Sequence, residues 1–386
     1  MALPATAFDA EKIAQGIVSW AEIESPTHHI EGVNRMMDVA AHDLQDLGGT
    51  VERLPGTDGF GDVVLSRFPS AANPDQPGIL VLGHMDTVHE VGTLANKLPI
   101  RRDGDQLFGP GVLDMKGGNR IAIEAFAAMR HAGIQPPLPV TFMFTPDEEV
   151  GSPSSRQRIE AEAAKHSYVL VPEPLRPWGD VVTGRHAVQR FWVRVHGKPA
   201  HAGLQKAQGR SAIAKMADII ARIEALNDYG RETTYAVGTV RGGTFVNVVT
   251  TLCEAQVLCV APNNGLLGEV QSNMAALAGE EDGVRIEVEA GLLRPVAEPH
   301  AKTMALYDHA RRLASAMGIE LGHCQSGGGS DGNFTGALGI ATLDGLGVGG
   351  TNAHTFNEHL LISTLVPQCR LMAGLFETLE PPAPQM

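Results

Sequence analysis

Positive charge is scarce in this chain. Its 386 residues hold 30 Lys and Arg against 44 Asp and Glu, a formal charge of −14. That balance argues against a nucleic-acid surface or an anionic-membrane surface. Cysteine is scarce as well: Cys253, Cys259, Cys324 and Cys369 contain no CxxC pair and do not make a disulfide framework. No apolar run approaches the length of a bilayer, and "MALPATAFDAEKIAQGIVSW" lacks a basic start followed by a long apolar stretch. The expectation is a cytoplasmic protein without membrane contact. A phosphate-binding GxxxxGK[ST] loop and a dinucleotide fingerprint are also missing. The acidic excess therefore needs another use, and part of it is expected to surround cations.

At this length the chain exceeds what one core usually supports, so two domains, or one domain with an insertion, are expected. Ile13, Ile17 and Trp20 give one helical face, "GILVLGHMD" reads as a continuous apolar strand, and "GGNRIAIEAFAAMRHAG" reads as a helix ended by Gly133. "LPVTFMFTPDEE" and "SYVLVPEP" are further apolar strands. This alternation predicts an α/β fold, a mostly parallel sheet covered by helices. Near residue 182 the texture changes. "AVQRFWVRVH" alternates apolar and polar residues, a helix with Ile213, Met216, Ile220, Ile223 and Leu226 on one face follows, and strand-like runs come at 234–240 and 246–260. The expected organisation is a catalytic domain at 1–181 and 295–386 with an antiparallel α+β domain inserted at 182–294.

Ionisable residues end the apolar strands: His84, Asp86, Asp114, Glu148, Glu149 and Glu173, with His354 in a late Gly-rich stretch. Ligands of an open parallel sheet bind beyond the carboxyl ends of its strands, so these groups are expected to converge. Taken alone, a histidine after a strand is more often an ordinary hydrogen-bonded residue. Together, so many ionisable groups side by side would be costly without a cation. Imidazoles with carboxylates and no thiolate suit a catalytic site for zinc, cobalt or manganese.

The motifs "GHMDTV", "GPGVLDMKGG", "TPDEEVGS", "EP" at 173, "GKPAHAG" and "GGGSDG…NAHTFNEH" resemble the dinuclear-zinc peptidase and amidohydrolase family of carboxypeptidase G, acetylornithine deacetylase and succinyl-diaminopimelate desuccinylase. The resemblance spans nearly the whole chain. It implies two divalent ions per chain, zinc first with cobalt or manganese as alternatives, one on His84, Asp114 and Glu173 and one on Asp114, Glu149 and His354. It makes Asp114 the bridge, Asp86 the acceptor that orients His84, and Glu148 the general base for a metal-bridging water. It also implies that the inserted domain serves as lid and homodimer interface, and that His201 and Asn247 stabilise the oxyanion. The backbone of Gly328, Gly329 and Ser330 is a candidate for holding a substrate carboxylate, with Arg185 beside it. The implied reaction is hydrolysis of a C–N bond in a small N-acyl amino acid or dipeptide-like substrate.

One departure bears on the substrate. Family members that cut next to a carboxylate carry an Asp-x-Arg segment, where "CEAQVLCVAP" places Leu258 and Val260, and His186 stands where Lys or Arg is common. An apolar residue cannot give a carboxylate the forked contact of an Arg. Either Arg185, Arg190 or Arg241 substitutes, or the substrate is a non-peptide aromatic amine or amide. Outside this chemistry, "GGSDG" fits a nucleophile elbow with Ser330, a cheap match in a glycine-rich run. A catalytically silent metal-binding scaffold is the other alternative, against which the retained Glu148 and His201 count.

Overall fold

The computed structural model describes residues 3–176 and 179–381. The chain divides into two compact units, Met1–Gly184 with Pro299–Gln325 and Ser330–Met386, and Arg185–Glu298 with Ser326–Gly329.

The first unit is built on a six-stranded sheet in the order Thr50–Leu54, Val63–Phe68, Val140–Thr145, Gly78–His84, His166–Leu170, Ala341–Leu343. The last four run parallel, and the hairpin formed by the first two adds antiparallel strands at one edge. Ile79 and Val81 pack with the helices Ile30–Asp46, Lys116–His131 and Leu365–Thr378, while Leu80 and Leu82 join Ile159 and Phe334 in a separate cluster. A strand apolar on both sides is what a doubly covered sheet requires, and this is why these segments read as unbroken apolar runs. A small antiparallel sheet of Gly350–Thr351, His359–Leu361, Gln106–Phe108 and Arg101–Asp103 brackets the loop that carries His354.

The second unit is an antiparallel sheet in the order Thr234–Gly242, Leu252–Ala261, Ala187–His196, Val284–Arg294, Gly279–Glu281, packed on the helices Ala212–Glu224 and Asn264–Ala275. Burial along Ala187–His196 alternates strictly, as its sequence does. Two local expectations fail. Ile213 is 45% exposed, and Ile219 takes the buried place on its helix. Residues 246–251 form a loop, because the strand begins only at Leu252. Cys253 and Cys259 are buried free thiols on one face of that strand.

Candidate metal centre

The site is assembled from strand ends. His84 is the last residue of Gly78–His84, Glu148 and Glu149 follow Val140–Thr145, and Glu173 follows His166–Leu170. Two glycines make the close packing possible. A Cβ on Gly83 would stand 2.0 Å from Oδ1 of Asn119, and one on Gly118 would stand 1.8 Å from the Pro172 carbonyl. Asn119 uses the space to donate from Nδ2 to the His84 carbonyl at 2.7 Å.

Asp114 lies between the two imidazoles. Its Oδ1 is 3.2 Å from His84 Nε2, and its Oδ2 is 3.2 Å from His354 Nε2. Glu173 Oε1 is 3.7 Å from His84 Nε2, and Glu149 Oε2 is 3.1 Å from His354 Nε2. Glu148 stands at the junction, with Oε2 4.0 Å from His84 Nε2. Potential ligand atoms of His84, Asp114 and Glu149, and of His84, Glu148 and Glu173, fall within 4.8 Å of one another. The Asp114–Met115 peptide is cis.

The electrostatics call for cations. Burial, then Asp114 nearby, pushes Glu149 up to about 8. Burial opposes charge on Asp114 too, yet hydrogen bonds from His354 and His84 outweigh it and hold that carboxyl well below the usual range. Asp114 and then Glu149 raise His354 to about 11, and His84 is raised by Asp114 and Asp86 in spite of its complete burial. Each shift shows a site that demands positive charge beside Asp114 and Glu149. Asp86, Asp114, Glu148, Glu149 and Glu173 carry five negative charges when ionised. Two divalent cations with neutral imidazoles would leave one, whereas two imidazolium protons leave three. The donor set, imidazole nitrogens and carboxylate oxygens sharing one central carboxylate, fits a pair of borderline divalent ions.

Asp86 takes a wider part than orienting a ring. The strand ends at His84, and Asp86 lies just beyond it. The nearest acceptor for His84 Nδ1 is the Asp86 main-chain carbonyl at 2.9 Å, with the carboxylate Oδ1 at 3.3 Å. That carboxylate, fully buried, accepts from the Glu148 and Glu149 N–H groups at 3.2 Å each and from the Thr27 hydroxyl at 2.7 Å. It fixes the backbone of both glutamates as well as the imidazole.

His201 and Asn247 belong to the second unit. Both are exposed, and their segments pair: the Ala202 N–H donates to the Asn247 carbonyl at 2.9 Å, and His201 bridges Val248. Arg185 and the glycines also meet, through the carbonyls of the loop. Arg185 is buried and donates to the carbonyls of Gly328, at 2.8 Å, and Gly329, at 3.2 Å, so it holds the loop. The Gly328 N–H is taken by the Ser326 hydroxyl, and the Ser330 N–H by Asn333 Oδ1. Ser330 has no exposed surface, and its hydroxyl donates to Asp344 Oδ2 at 2.6 Å. Its burial and its bond to Asp344 suit a structural role. Arg190 faces Leu258 directly across paired strands, and Arg241 is exposed.

Sequence reasoning missed His89, Glu358 and His359. His89 and His359 are both buried, and His89 Nε2 lies 2.6 Å from the buried Glu358.

The family model described as peptidase family M20/M25/M40 matches residues 80–378. The chain belongs to that family. Carboxypeptidase G2 of Pseudomonas sp. (strain RS-16) is 26% identical over 362 residues, which cover 91% of this chain and 85% of that protein. Two solved structures share the fold. A tripeptidase from Staphylococcus aureus subsp. aureus Mu50 has a TM-score of 0.78 at 20% identity over 96% of this chain and 98% of its own. Aminopeptidase PepT from Bacillus cereus ATCC 10987 has a TM-score of 0.74 at 24% identity over 96% and 99%. As a member of M20/M25/M40, the chain is a metal-dependent hydrolase of C–N amide bonds. Among the described residues of this M20/M25/M40 chain, no helix is long and apolar enough to cross a membrane.

Proposed function

We propose that this enzyme hydrolyses the amide bond of small N-acyl amino acids or dipeptide-like compounds. His84, Asp114 and Glu173 hold one divalent ion and Asp114, Glu149 and His354 the other, zinc first and cobalt or manganese in its place. The observation that carries the reading is Asp114, with one oxygen beside each imidazole. Ions bound there supply Lewis acidity, which lowers the pKa of water and polarises the scissile carbonyl. Glu148, at the junction of the two triads, takes the proton of the attacking water and passes it to the leaving nitrogen. Asp86 keeps Glu148 and Glu149 in place through their main-chain N–H groups. His201 and Asn247 donate to the developing oxyanion.

Replacing Glu148 with Gln is expected to lower kcat by about 10²-fold or more while metal content stays near that of the unaltered enzyme. Substantial residual turnover would remove Glu148 from its role.

A second reading concerns the substrate alone. Leu258 is 40% exposed and Val260 half-buried on the same open face of their strand, which suits a carboxylate-poor aromatic amine or amide. Arg190 opposite Leu258 favours the first reading. Product analysis on a mixed panel separates them: release of free amino acids supports the first, and turnover confined to aromatic compounds supports the second.

We also propose a homodimer through the second unit. Val240, on the edge strand Thr234–Gly242, and Phe245, Val246 and Leu252 near it are exposed, a concentration of apolar surface that suits an interface.

A further inference from the structure

The geometry points to Glu358 as the positioning residue that fixes Asp114 between His84 and His354. Glu358 is buried, and its two oxygens receive four donors. Oε1 accepts from the N–H groups of Leu113, at 2.9 Å, and Asp114, at 3.1 Å. Oε2 accepts from the Gly111 N–H at 3.2 Å and faces His89 Nε2 at 2.6 Å. Glu358 and its partners come from three separate segments, and each segment carries one residue of the shared core of the site. His89 follows His84 along the chain, residues 111–114 end at Asp114, and Glu358 itself follows His354.

The main chain reinforces the junction. The Gly109 N–H donates to the Glu358 carbonyl, and the Glu358 N–H donates to the Thr355 carbonyl. His354 has a φ of +64°, a left-handed conformation that a residue with a Cβ keeps only where its surroundings hold it. Glu358 acts through Asp114: it holds the peptide N–H of that residue, so the carboxylate stays between the two imidazoles. Only a carboxylate can serve all four donors, because an amide of the same shape turns hydrogens toward one pair of them. A buried N–H left facing an NH₂ loses its acceptor outright.

This inference rests on the ligand assignment proposed above, and the test keeps the two apart. Full-length protein stripped of metal is titrated with cobalt(II), read by calorimetry and by the visible absorption of bound cobalt. The unaltered protein is compared with Glu358→Gln and with Glu162→Gln, which breaks a partly buried ion pair elsewhere in the first unit. The unaltered protein is expected to take up two ions. Glu358→Gln is expected to bind at least one of them roughly 10–100-fold more weakly, with altered cobalt bands. Glu162→Gln, destabilised but remote, is expected to keep both affinities and the bands. Unchanged affinities and bands in Glu358→Gln would overturn the positioning role. Should that variant not fold, His89→Phe, which removes one donor of the four and keeps a ring in its place, decides: weakened cobalt binding supports the role, and binding as tight as in the unaltered protein overturns it. An unaltered protein that binds fewer than two ions overturns the ligand assignment itself, whatever the variants do.

Discussion

Asp86 shows how much one buried carboxylate organises. It meets the His84 ring, two successive main-chain N–H groups and the Thr27 hydroxyl, all donors. Replacing it with Asn turns an NH₂ toward some of them. Metal affinity is expected to fall roughly 10–100-fold, measured by titration of the metal-free protein. Unaltered affinity would make Asp86 a bystander. Ser330 is the opposite case. Its hydroxyl bonds Asp344 and accepts the Gly332 N–H at 2.9 Å, so Ser330→Ala is expected to cost about 1–3 kcal/mol in thermal or denaturant unfolding and to leave kcat in place. Loss of turnover in a protein of undiminished stability would reinstate it as a functional group. At this scale the sequence was most legible where a residue type has few other uses. His84, Asp114, Glu148, Glu149, Glu173 and His354 stand at strand ends or in a glycine-rich loop, and the structure brings them together. Glu358 and His89 were illegible, because a buried carboxylate that serves the backbone looks in sequence like any surface glutamate.

The elements that carry the site are held by packing and by ion pairs of unequal depth. Gly118 opens the helix Lys116–His131 against the Pro172 carbonyl, just before Glu173. Gly118→Ala is expected to cost about 1–3 kcal/mol of stability, since the obstacle is backbone that cannot step aside. An unchanged Tm would show that the two segments separate freely. Glu162, in the helix Arg156–Ala163, pairs with Arg67 of the strand Val63–Phe68 and with Lys165. Burial would raise its carboxyl, but Arg67 and then Lys165 outweigh that and bring it from 4.5 down to about 2. A depressed folded pKa contributes stability above the unfolded value and loses it on acidification. The Tm difference between the unaltered protein and Glu162→Gln is therefore expected to be constant near neutral pH and to close as pH falls from about 4.5 towards 2. A difference that stays level across that window would contradict the pairing. Continuous apolar strands and the 3.6-residue period made most elements legible. The failures at Ile213 and at 246–251 lie where apolar residues face outward, which periodicity reads as core.

On the scale of the whole molecule, the fold came from alternation. Apolar strands between helices gave the parallel sheet of the first unit, and the change to polar–apolar alternation near residue 182 gave the antiparallel second unit. Which chemical groups the substrate carries was not legible, because it depends on side chains such as Arg190, Leu258 and Val260 whose meaning changes with a neighbour one strand away. The proposed dimer has a direct test. If His201 of one protomer serves the site of its partner, mixing Glu148→Gln with His201→Ala and allowing exchange restores activity that neither variant has alone. No restoration, with exchange verified by mass, would place His201 outside the chemistry of a neighbouring chain.

The most direct test of the metal chemistry is a zinc titration of metal-free enzyme, with mass-spectrometric detection of the products from N-acyl amino acids and dipeptides. Turnover should be absent before metal, rise with added zinc, level off at about two ions per chain and vanish with a chelator. Hydrolysis that persists undiminished in the metal-free enzyme would contradict a mechanism built on Asp114 and its two imidazoles.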